Sequence, residues 1–221
     1  MNKLFLTLCI FTLQVLPVFS QQKYTADIII KSINYNDERI SLSLKYLKDR
    51  HGLVQERPII VPKFVVLHFT GGGTLQSNFN YFNKVKIESG RKYNKNQSDL
   101  NVSAHYLVDR DGKIYQLMPD TLFARHTIGL NYCAIGVENI GGGDAPLTAA
   151  QVEANIKLVR HLHARYGIKY LIGHSEYGRF RKSAFWKETD TKYFTGKIDP
   201  GEDFMKQVRA GLKELNLGER P

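Results

Sequence analysis

Two histidines, a lysine and an aspartate stand where a plain globular core would have no use for them. His68 interrupts the apolar run Phe64-Val65-Val66-Leu67, His174 follows Leu171-Ile172-Gly173, and Lys197 and Asp199 share Gly196-Lys197-Ile198-Asp199-Pro200-Gly201. Two imidazoles delivered at strand ends and one later carboxylate make the donor set of a three-ligand zinc site with an open fourth position. That arrangement is catalytic, since a closed structural site takes four protein ligands, usually with cysteines. Each residue also has an ordinary reading. A histidine at a strand end is commonly a hydrogen-bonded core residue, Asp199 suits a helix N-terminus, and Lys197 suits a solvated surface.

A further carboxylate belongs with them. On the expected strand Ala134 to Ile140, alternation puts Glu138 on the face of the small residues Ala134 and Gly136. That leaves room beside the carboxylate for a metal, and partial burial raises its pKa towards what a general base needs. The competing reading is a strand-end carboxylate facing water.

The elements that must position these groups are legible from Lys63 onwards. Phe64 to Phe69 reads as a central strand buried on both faces. Ser103 to Val108 and Lys113 to Met118 flank Asp109-Arg110-Asp111-Gly112, a hairpin with Asp-Gly at its turn. Thr148 and Gln151 form a capping box opening a helix that Gly167 ends. Tyr170 to Gly173 is a short strand delivering His174, Asn78 to Glu88 is a weaker helix, and Phe204 to Leu217 is a final amphipathic helix. Ahead of them, Ile28-Ile29-Ile30 and Ile40 to Leu44 read as two short strands around the polar turn Asn34 to Glu38. The fold class is α/β (α+β), a single mixed sheet flanked by helices.

The first twenty of the 221 residues read as a secretory leader: Lys3, an apolar run from Leu4 to Val18, and Val18-Phe19-Ser20 before the polar Gln21. The run is too short for a comfortable membrane span. An exported protein with no stable membrane insertion after processing is expected, periplasmic or extracellular. Residues 21–61 form an N-terminal elaboration and 62–217 one catalytic domain, expected to act as a monomer. Only Cys133 of the two cysteines survives removal of the leader, so no intramolecular disulfide is available; Cys133 reads as a small core residue. The net charge of +10 favours an anionic partner such as cell-wall polymer. The charge is scattered and no nucleic-acid motif accompanies it, which argues against DNA or RNA.

Taken together, the stretches Val65-Val66-Leu67-His68-Phe69-Thr70, Ser103 to Gly112, Ala124-Arg125-His126, Ala134-Ile135-Gly136-Val137-Glu138, Gly173-His174-Ser175-Glu176 and Lys197-Ile198-Asp199-Pro200-Gly201 resemble the zinc-dependent N-acetylmuramoyl-L-alanine amidases of the type 2 family. Phage amidase-type lysozymes and animal peptidoglycan recognition proteins are relatives of these. The resemblance implies that His68, His174 and Asp199 hold Zn2+, that Glu138 is the general base and that Lys197 stabilises the oxyanion. It implies peptidoglycan or muropeptide as substrate, cut between the lactyl group of N-acetylmuramic acid and L-alanine. His105 and His126 either orient the substrate, support a ligand through hydrogen bonds, or are structural.

Two departures stand out. Ala104 replaces the tyrosine that the phage enzymes and recognition proteins place before the His105-like histidine, so the mechanism leans on Glu138, as in the bacterial muropeptide-recycling branch. The loop from Ser175 to Gly196 is long and carries aromatics and cations. It reads either as a substrate-contacting lid, with Trp186 among the sugar-stacking faces, or as a loop packed down by its aromatics. Other functions in view are a muropeptide-binding module without catalysis and an antibacterial effector using the same chemistry.

Overall fold

The computed structural model describes residues 26–221; the expected leader lies outside them. Six strands, β1 (Ile28–Ile30), β2 (Phe64–Phe69), β3 (Tyr106–Val108), β4 (Ile114–Gln116), β5 (Ala134–Asn139) and β6 (Tyr170–Gly173), form one sheet in the order β1-β4-β3-β5-β2-β6. The β3–β4 hairpin is antiparallel and every other pairing is parallel. The mixed sheet is thus as expected, with the strand carrying His68 between the strands that carry Glu138 and lead into His174.

Burial explains why β2 reads as an unbroken apolar run. Val65 and Leu67 face α4 (Ala149–Tyr166) and α5 (Glu202–Ala210) together with Ile135, Val137 and Leu171. Phe64 and Val66 face the opposite side, where Tyr177, Phe180 and Tyr193 cover them. Each such side chain contributes about 1.5–3 kcal/mol on full burial. Over β3 and β4 the second face is covered by Phe82 of α2 (Leu75–Asn83). Even-numbered positions at the upper ends of β2 and β5 are left between these two covers, and there the polar residues gather.

The capping signals behave as their chemistry dictates. Thr148 accepts from Gln151 N–H, the Gln151 side chain returns to the Thr148 N–H, and Gly167 takes the left-handed conformation (φ 61°). The final helix is shorter than expected. It ends at Ala210, and Gly211 at its C-cap packs so close to α4 that a Cβ there would lie 2.4 Å from Ile156 Cδ1.

The stretch Ile40 to Leu44 corrects a sequence expectation, for it lies inside α1 (Asp37–His51) and is no strand. Asn36 caps the helix and Gly52, at φ 64°, ends it. The alternation of Ile40, Leu42 and Leu44 misleads because the buried face is Arg39, Ser43, Tyr46, Leu47 and His51, a helical stripe whose first members are polar. β1 pairs in parallel with β4 at the edge of the sheet, and α1 buries Tyr46 and Leu47 against Ile60, Leu100 and Phe123. No helix among the described residues is long and apolar enough to cross a membrane.

Candidate metal centre and active site

The C-terminal ends of β2, β5 and β6 open into a cavity of about 220 Å³ lined by His68, His126, Glu138, His174, Lys197 and Asp199 among others. Ligand sites of open α/β sheets lie at this end of the strands. His68 and Glu138 are register partners in the β2–β5 ladder, so their side chains rise from neighbouring strands on one face. His174 follows β6 directly. The Asp199 segment is tied beside it by the Ser175 N–H, which donates to Asp199 O at 2.8 Å. Gly173 permits the approach, since a Cβ there would lie 2.9 Å from Pro200 Cδ.

His68 Nδ1, His174 Nδ1 and Asp199 Oδ2 stand 3.0, 3.0 and 3.2 Å apart. Donor atoms about 2.0–2.1 Å from a tetrahedral zinc are themselves about 3.3 Å apart, so these three atoms fit one face of such a tetrahedron. The protonation of His174 and Asp199 also fits. Burial, then the neighbouring His68, push His174 down to about 4 against the opposing pull of Asp199, which leaves a neutral imidazole. Burial alone would raise the Asp199 carboxyl. Hydrogen bonds from His174 and His68 outweigh it and hold the group well below the usual carboxylate range. Neutral imidazoles and an ionised carboxylate are the forms that bind a divalent cation.

Glu138 is half-buried, and its Oε2 is enclosed with no hydrogen-bond partner among the described residues. Burial pushes its pKa up to about 7, opposed by His68 and Lys197 and reinforced by Asp199. Lys197, two residues before Asp199, lines the same cavity. The five residues from four separate stretches of chain thus meet at one place.

His126 lies one step deeper. Its Nδ1 is 3.0 Å from His68 Nε2 and its Nε2 is 3.1 Å from the Ala134 carbonyl. Burial and then His68 hold its pKa well below the ordinary value.

His105 and Trp186 do not line the cavity, and of the alternatives the sequence leaves open their packing favours the structural one over contact with substrate. His105 is fully buried; its Nε2–H donates to Leu122 O at 2.8 Å and its Nδ1 accepts from the Gly136 N–H at 3.0 Å. Both nitrogens are spent on backbone between adjacent elements. Trp186 packs on Gly129, where a Cβ would lie 2.6 Å from the indole, and stands 5.8 Å from the Tyr177 ring. The 175–196 loop is packed down: Tyr177, Phe180 and Tyr193 are buried, and Arg181 lies over Phe194 at 4.6 Å.

The cavity wall contains residues that the sequence does not single out, among them Tyr81, Arg91, Asn94 and Thr195. Arg91 and Asn94 belong to a polar stretch with no periodicity to mark it. Arg125, within one of the quoted motifs, is buried and donates to the carbonyls of Leu100, Asn94 (2.7 Å) and Ser98 (3.2 Å). It therefore shapes that wall from beneath.

A family model described as N-acetylmuramoyl-L-alanine amidase matches residues 34–202. The chain belongs to this amidase family. The matched region contains β2 to β6 and all five polar residues of the cavity floor. Among curated relatives of this amidase-family chain, the endolysin of Escherichia phage T7 is 31% identical over 98 residues. That segment is 42% of this chain and 65% of the endolysin, just under two thirds of the relative's length. The endolysin of Enterobacteria phage T3 matches at 30% over the same length. Among solved structures, the amidase LysC from Clostridium intestinale superposes with a TM-score of 0.55 at 19% identity, covering 88% of this chain and 100% of LysC. AmpD gives 0.52 at 22%, covering 85% and 95%. PGRP-SA of bumblebee gives 0.53 at 16%, covering 89% and 100%. At these identities the likeness is one of fold.

Proposed function

We propose that this amidase-family chain is an exported, zinc-dependent peptidoglycan hydrolase that cleaves the amide between N-acetylmuramic acid and the L-alanine heading the stem peptide. The observation that carries the reading is the pairing of a metal-fit triad with a carboxylate on the adjacent strand: His68 and Glu138 share a register position, and Glu138 Oε2 has no hydrogen-bond partner among the described residues. Residues 62–217 form the catalytic unit, with 21–61 as an N-terminal elaboration and 1–20 as the leader. The protein acts as a monomer on wall polymer or muropeptide and binds no nucleic acid.

His68 Nδ1, His174 Nδ1 and Asp199 Oδ2 would hold the zinc, which when bound polarises a carbonyl and lowers the pKa of water towards neutrality. The remaining steps belong to the chain itself. Glu138 takes the proton of the attacking water on Oε2 and returns it to the leaving amide nitrogen. Its raised pKa suits both halves of that exchange. Lys197 donates to the oxygen that becomes negative in the tetrahedral intermediate, an interaction stronger in the transition state than in the ground state. No tyrosine precedes His105, so base chemistry rests on Glu138.

The test is incubation of the leaderless protein with muropeptides, zinc-loaded and chelator-treated samples being compared by mass spectrometry. Release of the L-alanine-headed peptide that needs metal and vanishes in Glu138→Ala supports the reading. Intact substrate with bound zinc and measurable muropeptide affinity would turn it into that of a recognition module.

A further inference from the structure

The cavity floor holds one polar group for which the reaction has no direct use. His126 is half-buried and meets the metal triad only through His68. Its backbone N–H donates to Asn131 Oδ1 at 2.8 Å, and the next N–H, of Thr127, donates to the same oxygen at 2.6 Å. The ring stands at 88° to that of His68, centroids 5.1 Å apart.

We infer that His126 is a positioning residue that decides which nitrogen of His68 carries the proton, keeping the His68 Nδ1 lone pair aimed at the metal position; this rests on the zinc reading above. The hydrogen bonds fix each proton in turn. The Ala134 carbonyl, 3.1 Å from His126 Nε2, only accepts, so Nε2 carries the hydrogen. A neutral imidazole has one N–H, which leaves a lone pair on His126 Nδ1. His68 Nε2 is 3.0 Å from that lone pair and must donate to it. His68 Nδ1 is then free of hydrogen, 3.0 Å from His174 Nδ1 and 3.2 Å from Asp199 Oδ2. The Thr127 hydroxyl, 2.8 Å from His126 Nδ1, donates to the same lone pair and supports the acceptor state. One backbone carbonyl on β5 thus determines, two rings away, the face His68 shows to the cation.

The sheet makes room for this relay at one position. A Cβ on Gly136 would lie 2.7 Å from His126 Cγ and 2.8 Å from its Nδ1, so the ring occupies the space that any other residue would fill. Partners that orient a ligating histidine through its second nitrogen change metal affinity about 10–100-fold when lost.

The experiment uses the leaderless chain. In the metal-free protein, long-range 15N–1H spectra assign the histidine tautomers; the expected result is Nε2–H on both His126 and His68. Zinc affinity is then measured by chelator competition. His126→Phe keeps a ring of similar size without the acceptor and is expected to bind zinc about 10–100-fold more weakly. His126→Asn, whose Oδ1 reaches the place of Nδ1, is expected to recover a large part of that loss. A His68 Nδ1–H in the metal-free protein overturns the inference, as does His126→Phe that folds and binds zinc within about twofold of the parent. If His126→Phe does not fold, the tautomers of the unaltered chain decide alone. A protein with the expected tautomers that binds zinc but releases no peptide would sink the amidase reading and leave this inference standing.

Discussion

His68 and Glu138 occupy the same register position of adjacent parallel strands, with the His68 ring turned to His174 and Asp199 and Glu138 Oε2 beside it without a hydrogen-bond partner among the described residues. Because β2 and β5 are locked together over six consecutive pairs, Phe64 with Ala134 through Phe69 with Asn139, the ladder holds Glu138, the proposed base, at a fixed distance from His68. The two roles are therefore separable by mutation. Glu138→Gln preserves shape and is expected to lower kcat by about 10²–10⁴ while zinc affinity stays within a factor of a few. Loss of both together would mean that Glu138 acts as a ligand instead. Lys197→Ala is expected to lower kcat by about 10²–10³ with KM little changed, because its hydrogen bond forms to the transition state.

Gly136 should tolerate no side chain, for a reason specific to the site. A methyl group there meets the His126 ring at 2.7 Å, at a buried position of β5. Gly136→Ala is expected to displace His126, weaken zinc binding by about tenfold or more, and cost about 1–3 kcal/mol of stability from overpacking. Chelator competition and urea denaturation read the two effects. Parent-like zinc affinity in this variant would show that the ring can shift without consequence.

Acid should destabilise the protein through histidines outside the metal centre. His51, ringed by Tyr46, Phe123 and Tyr132, is pushed down to about 3 by burial, and His105 to about 4 for the same reason. Both lie below the unfolded value near 6.5, so the unfolded chain takes up protons first as pH falls. Their contribution is fully present above about pH 6.5 and is lost progressively towards the folded pKa. By pH 4 each group costs on the order of 3 kcal/mol. Urea midpoints measured from pH 7 to 4 should fall steeply, and His51→Phe, which cannot take a proton, should flatten the slope. An unaltered slope in that variant would refute the assignment.

What could be read ahead of the structure follows the physics of each signal. β2, β5, β6, the β3–β4 hairpin and α4 were legible because they combine buried apolar runs or strict spacing with turn and cap residues whose geometry is local. His68, His174, Asp199, Glu138 and Lys197 were legible through their motifs. α1 was not, because its buried stripe begins with Arg39 and Ser43 and so hides from a hydrophobic pattern. For His105 and Trp186 a substrate contact and a structural role both stayed open, because residue type says nothing of which way a ring points. His105 is consumed by two backbone groups and Trp186 by a glycine, Gly129, that lets the indole lie flat. The cavity wall at Arg91 and Asn94 depends on a chain path that no period encodes.

Arg39 illustrates the cost of that hidden face. Its buried guanidinium donates to the carbonyls of Asn34 (2.7 Å), Phe82 (2.9 Å), Lys84 (2.9 Å) and Asn83 (3.2 Å), closing the C-terminal end of α2 against α1. Burial, opposed by Tyr35, lowers its pKa to about 10, still far above neutrality, so it stays charged. Arg39→Ala leaves several buried carbonyls without a donor and is expected to cost about 3 kcal/mol or more. Arg39→Lys, with one compact donor group, should recover less than half. Thermal and urea unfolding test this. Equal stability of the lysine variant and the parent would show that charge, and not the planar fork, holds the two helices.

Arg91 is the cation most exposed to a substrate in the cavity. Its guanidinium donates to the Tyr81 hydroxyl and lies 5.9 Å from that ring, and it forms no ion pair among the described residues. A cation on a cavity wall, steadied by a neutral phenol, is available to a carboxylate arriving with the ligand. The stem peptide proposed as substrate carries such carboxylates. A charged hydrogen bond of this kind contributes about 1.5–3 kcal/mol, so Arg91→Ala is expected to raise KM by about 10–100-fold with kcat nearly unchanged. The effect should shrink when the peptide's free carboxylates are amidated. Steady-state kinetics on paired acidic and amidated muropeptides decides the point: equal loss on both substrates would mean that Arg91 supports the wall through Tyr81 and does not meet the substrate's charge.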